Sequence, residues 1–168
     1  LARRAYRGLV TVNDVDPLIA LFSEGRKDGG SFEHGIEMAL SGLLVSPRFL
    51  YRVPAVPEAG QSGDIYELSD LDLASRLSFF LWSSIPDEEL LSLAEEGVLN
   101  DPGVLANQLT RMLADPKSRA LVENFGGQWL HLRNVQDWAP DPDRYDYFDD
   151  SLRYAFLQET ELFLDNMI

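Results

Sequence analysis

The stretch LSDLDLASRLSFFLWSSIPDEEL, residues 68–90, decides the fold. Ser69 followed three residues later by Asp72 is a capping box, which satisfies backbone N–H groups at a helix start. Leu71, Ala74, Leu77 and Leu81 then recur at helical spacing, and Leu73, Phe79, Phe80 and Trp82 make the second half apolar on nearly every side. Such a helix belongs at the centre of a packed structure. Pro86 stands at a first helical position, followed by Asp87, Glu88 and Glu89 in the turn that favours negative charge, and Gly97 stops this helix after Glu96. The same start recurs at Asp101-Pro102 and Asp115-Pro116, which open helices to about Ala114 and about Leu132.

Toward the N-terminus, residues 1–8 read as the end of a short basic helix and residues 14–26 as the next, with Val15, Leu18, Ile19 and Phe22 on one face. Gly29 and Gly30 close it, and Ser31 caps a third helix whose stripe is Phe32, Ile36, Ala39, Leu40, Leu43 and Leu44. Pro47 ends that helix near Ser46. Residues 53–63 lose periodicity and gather Pro, Gly and Ser, the composition of a surface connection.

Toward the C-terminus, a polar loop over residues 134–148 precedes a last helix with the stripe Leu152, Ala155, Phe156, Leu162, Phe163 and Met167. Period-two alternation appears only over residues 65–68. The expectation is an all-α orthogonal bundle of about seven to eight helices. It comprises a small helical domain over 1–52, a linker over 53–65 and a larger domain over 66–168 that continues past the end. A start at Leu1 rather than Met, and a last helix without a stop signal, read as cuts in a longer chain.

Asp and Glu number 28 against 14 Lys and Arg, a formal charge of −14, so nucleic acid phosphates are an unfavourable partner. No apolar run reaches the roughly 18 residues of a membrane span. The absence of cysteine removes disulfides, thiolate metal sites and covalent c-type haem attachment from this segment.

Glu159 falls between Phe156 and Phe163 on the stripe expected to be buried, and a buried carboxylate needs a partner or a raised pKa. Arg48, Arg76, Arg119 and Arg133 are the candidate partners, and Glu123 is the second carboxylate that an acid–base pair would require. Gly126 and Gly127 sit inside a helix at a cost of about 1 kcal/mol each, which close approach of a neighbour such as Phe79 or Trp82 would offset. A ligand lying over Trp129 is the alternative, with Arg48 and Arg76 as further binding candidates. Asp141, Asp143 and Asp146, with Asp149 and Asp150, invite a calcium reading, but Asp146 stands where the loop needs Gly and Leu152 where it needs Glu. The metal expectation is therefore none. His34 and His131 lie near helix ends and read as structural.

Five phrases carry a resemblance: ARRAYRG at 2–8, LLVSPRFLYR at 43–52, LSDLDLASRLSFFLWSSIPDEEL at 68–90, RMLADPKSRALVENFGGQWL at 111–130 and ETELFLDNMI at 159–168. Together they resemble the adjoining helical domains of unknown function, numbered 1595 and 1592, of large exported proteins of planctomycete type. The resemblance implies an exported, periplasmic or cell-envelope parent, other domains of the same polypeptide as partners, and a c-type cytochrome module elsewhere in it. No cofactor is expected in this segment, and no family residue roles transfer. The expected function is a noncatalytic scaffold or interaction module. The alternative is a carboxylate-dependent enzyme acting on a polysaccharide or other extracellular polymer through Glu159, Glu123 and Trp129.

Overall fold

The computed structural model describes residues 1–52 and 65–167, with Asp28 as backbone only. Among them the chain is all-α, without a strand: α1 Ala2–Ala5, α2 Val12–Gly25, α3 Phe32–Leu44, α4 Pro47–Leu50, α5 Asp70–Trp82, α6 Glu88–Glu95, α7 Pro102–Ala114, α8 Gly127–Trp129, α9 Asn134–Asp137 and α10 Asp150–Asp165. Several are single turns, which is why they outnumber the seven or eight expected. No helix among the described residues is long and apolar enough to cross a membrane. The expected connection over 53–65 lies outside the described residues except for Ile65.

The helix starts follow the local chemistry. Ser31 Oγ accepts from the His34 N–H at 3.2 Å, Asp87 Oδ1 from Leu90 N–H at 3.0 Å, Asp101 Oδ1 from Gly103 and Val104 N–H at 2.9 and 3.1 Å, and Asp149 Oδ1 from Leu152 N–H at 2.8 Å. Each satisfies a donor that a helix N-terminus otherwise leaves without an acceptor. α6 thus begins at Glu88, two residues after Pro86, with Asp87 rather than Pro86 setting its entry. α6 stops in a Schellman turn: the Gly97 N–H donates to Ala94 O, the Val98 N–H to Leu93 O, and Gly97 takes a φ of 71° that a side chain resists. α2 starts before the expected Asp14, because the Asp14 carboxylate accepts from both the backbone N–H and the hydroxyl of Thr11 at 2.8 Å.

The chain divides into two compact units. The first comprises Leu1–Arg76 and Ile85–Leu105; the second, Leu77–Ser84 and Ala106–Ile168. In the first, Ala5, Tyr6 and Leu43 form a small core against which Ala2, Val10, Leu18 and Phe49 pack. Pro86, Leu90, Leu91 and Leu99 are fully buried in the same unit, each leucine contributing on the order of 2 kcal/mol. Charged ties reinforce it: Arg3 bridges Glu95 at 2.8 Å and also pairs with Glu88, and these hydrogen bonds raise the Arg3 pKa and lower that of Glu95. Asp70 accepts from the Leu99 N–H at 2.6 Å, and Asn100 Nδ2 donates to Leu68 O at 3.0 Å, so the turn after α6 is fastened to the start of α5.

The second unit buries Ser78, Leu81, Trp82, Met112, Leu121 and Val122. Trp82 satisfies its indole N–H by donating to Met112 O at 2.8 Å, and its ring lies under Lys117 Nζ at 4.3 Å and the Arg111 guanidinium at 5.6 Å. The expected helix from Pro116 to Leu132 is not continuous. A 3₁₀ turn over Pro116–Ser118 leads to a π-helical stretch, Leu121–Gly126, and then to α8. Arg153 of α10 donates to Val135 O at 2.6 Å and to Trp138 O, holding the loop between α9 and α10.

Two faces turned out differently from their expected stripes. On α3, Gly35 and Leu43 are buried while Phe32, Ile36, Leu40 and Leu44 are exposed. On α10, the partly covered positions are Leu152, Arg153, Leu157, Thr160, Glu161 and Leu164, while Phe156, Leu162, Phe163 and Met167 are exposed. Both helices present an apolar flank that the described residues leave uncovered.

Candidate functional site

The α10 correction settles the position of Glu159. It lies on the exposed side of α10, not in a core, because the packed face runs through Leu157, Glu161 and Leu164. One of the four arginines expected as its partner, Arg119, serves two other carboxylates. Arg119 Nε donates to Glu123 Oε1 at 2.8 Å and Arg119 Nη2 to Glu161 Oε2 at 3.3 Å. The hydrogen bond and charge of Glu123, with Glu161 adding its field, raise the Arg119 pKa. The α10 ion pair exists, displaced by two residues from the expected one. Arg133 Nη2 reaches Asn124 Oδ1 at 3.4 Å instead of a carboxylate.

Asp141, Asp143 and Asp146 are exposed, and among the described residues no three His, Asp or Glu side chains are grouped to hold a metal ion. Asp141 shapes its own turn, accepting from the Asp143 N–H at 3.0 Å and lying 3.6 Å from Arg144 Nε. His34 is exposed at a helix start, 3.2 Å from Glu37. His131 takes a φ of 54° just after α8, the left-handed conformation that ends a helix.

Trp129 stacks on Phe125 with centroids 5.9 Å apart, and Phe125 meets Phe80 edge-on at 5.5 Å. These rings, with Leu121, Val122, Gly126, Leu164 and Met167, line an apolar groove of about 180 Å³ in the second unit. Only the first glycine of the pair meets a neighbour. A Cβ on Gly126 would stand 2.7 Å from Leu164 Cδ1, the movable end of a side chain on α10, so the neighbour at this glycine is α10, rather than Phe79 or Trp82. Gly127 has open space where a Cβ would go.

Arg48 and Arg76 come together in the larger concavity, a cleft of about 590 Å³ within the first unit. Its lining also includes Arg7 and Arg52, with Tyr6, Tyr51, Leu9, Pro47 and Leu71 as apolar and aromatic wall and Asp72 as a carboxylate. Arg7 is its buried anchor. Its guanidinium donates to Arg48 O at 2.6 Å, Tyr51 O at 2.9 Å and Phe49 O at 3.1 Å, which closes the carbonyl end of α4. Burial, then the charges of Arg52 and Arg48, lower the Arg7 pKa. Arg48 stacks on the Tyr6 ring at 4.9 Å, donates to Leu9 O at 3.2 Å and pairs with Asp14. Hydrogen bonds from Arg48 and Thr11 hold Asp14 at about 2, below its ordinary 3.8.

Arg7 and Arg52 were not among the residues singled out in the sequence. Arg7 had one readable cue, its place at the end of the basic helix expected over residues 1–8, and the structure sets it after α1, where glycine is usual, with a φ of 57°. That conformation costs a side-chain-bearing residue roughly 1–2 kcal/mol, which the three carbonyl bonds offset. Arg52 had no comparable signal.

Residues 68–168 match the family model PSD4, Protein of unknown function (DUF1592), and residues 1–53 match PSD5, Protein of unknown function (DUF1595). No curated protein and no solved structure matches the chain. Two adjoining family segments on an all-α framework, one holding the start of the arginine cleft and the other the aromatic groove, place this chain in the PSD4 family with a PSD5 segment before it.

Proposed function

We propose that the chain is a noncatalytic helical interaction module of a larger exported protein, which it serves by holding neighbouring domains of the same polypeptide in position. The observation that carries this reading is the flank of α3, where Phe32, Ile36, Leu40 and Leu44 are 57, 39, 38 and 50% exposed. Exposed apolar residues scattered singly are ordinary on any protein, but four in register, one per turn, form a continuous ridge suited to an interface. The resemblance supports a periplasmic or cell-envelope setting and a c-type cytochrome among the neighbours. The haem would have to be attached outside this segment, which has no cysteine.

The competing reading, a carboxylate-dependent enzyme on an extracellular polymer, draws on Trp129, 64% exposed above an apolar groove and suited to a sugar face. Its carboxylates give it little support. Glu123 is engaged with Arg119, Glu159 faces solvent, and neither lines either concavity. Hydroxyl-radical footprinting tests the module reading. Phe32, Ile36, Leu40 and Leu44 should label strongly in this chain alone and weakly in the whole polypeptide. Equal labelling in both would overturn it.

A further inference from the structure

The first unit gathers four arginines from three separate stretches of chain around one open cleft: Arg7, Arg48 with Arg52, and Arg76. In a chain with a formal charge of −14 this is a local reversal of sign. We propose that the cleft is a binding site for a small molecule carrying two or more oxyanion groups, carboxylate or phosphate. Guanidinium forks can pair two N–H groups with two oxygens of either group and form the stronger class of hydrogen bond with them.

The arrangement divides the labour. Arg7 and Arg48 are held by the carbonyls of α4 and Leu9 and by Asp14, so their charges are fixed in place before any ligand arrives. Such pre-organisation reduces the ordering cost of binding. Arg52 and Arg76 are exposed on separate stretches, and Arg76 has no ion-pair partner among the described residues. Among the described residues, Asp14 is engaged with Arg48 and Thr11, and Asp72 with the Ser69 hydroxyl at 2.7 Å. Burial first, and then the charges of Arg52 and Arg48, lower the Arg7 pKa, so the guanidinium groups of the cleft are close enough to feel one another. A volume of about 590 Å³ suits a ligand of one or two rings, and the exposed Tyr51 offers an aromatic face at the rim.

Isothermal titration calorimetry on the whole polypeptide tests the site with citrate as the polycarboxylate, pyrophosphate as the polyphosphate and maltose as the neutral probe. At least one anionic probe should bind and maltose should not. Arg76→Gln should weaken that binding about tenfold, the loss of one charge-assisted hydrogen bond, and adding Arg52→Gln should weaken it further. Binding of citrate alone or of pyrophosphate alone supports the site and selects the anion class. Both positions are exposed, so these variants should melt as the parent does. The proposal is overturned if neither anion binds at millimolar concentration or if the double variant binds as the parent does. It is also overturned if Arg144→Gln, a charge change in the second unit, weakens binding equally.

Discussion

Two concave surfaces among the described residues are built on opposite principles. The cleft of the first unit is walled by arginines, of which Arg7 and Arg48 are held by hydrogen bonds to backbone carbonyls and to Asp14. The groove of the second unit is lined by rings and aliphatic chains whose positions follow from packing alone. Hydrogen bonds are directional and fail individually, whereas packing is diffuse and fails through volume. The first surface should therefore respond to charge and pH, and the second to cavities.

The largest expected effect is on the packed side. Trp82→Ala should cost about 3–5 kcal/mol in denaturant unfolding followed by circular dichroism, because it empties a buried site and leaves Met112 O without its donor. A loss well under 1 kcal/mol would mean that the second unit does not depend on its aromatic core. On the hydrogen-bonded side, Arg7→Met keeps much of the side-chain volume but removes the donors to the α4 carbonyls. The expected cost is about 2–3 kcal/mol, and an unchanged unfolding midpoint would show those bonds to be dispensable.

A smaller effect separates the two surfaces by pH. Because Asp14 is held at about 2 when folded against 3.8 ordinarily, its tie to Arg48 adds stability above the ordinary value and loses it as pH falls through about 2. Melting temperatures between about pH 4 and pH 2 should therefore fall more steeply in the parent than in Asp14→Asn. Parallel curves would remove Asp14 as a contributor. Glu159→Gln should be the mildest change, within about 0.5 kcal/mol at neutral pH. A loss of several kcal/mol would restore the buried ion pair that the exposed position of Glu159 argues against.

That contrast also explains what could be read in advance. Ser31 and Asp101 announced their helices because a cap acts within three or four residues. The rotations of α3 and α10 were not legible, since Phe32 or Phe163 is as apolar as any core residue and only the neighbours determine which flank is covered. Arg48 and Arg76 could be nominated as cations, but their meeting with Arg7 and Arg52 depends on chain segments far apart in sequence. For Glu159 the error was one of phase: a rotation of α10 handed one of its four candidate partners, Arg119, to Glu161.

The π-helical stretch Leu121–Gly126 has a consequence for how this region tolerates changes in length. Its buried positions are Leu121 and Val122, then Gly126 and Gly127, a step of five rather than four, and the Gly127 N–H reaches back to Val122 O. The segment therefore behaves as an α-helix that has absorbed one additional residue. Deleting a single residue between Val122 and Phe125 would let ordinary α-helical spacing return without moving the flanking helices apart by more than one rise. A chain one residue shorter at this point can keep its glycine against α10, so length variation here should be read as a change of helical phase and not as a missing loop.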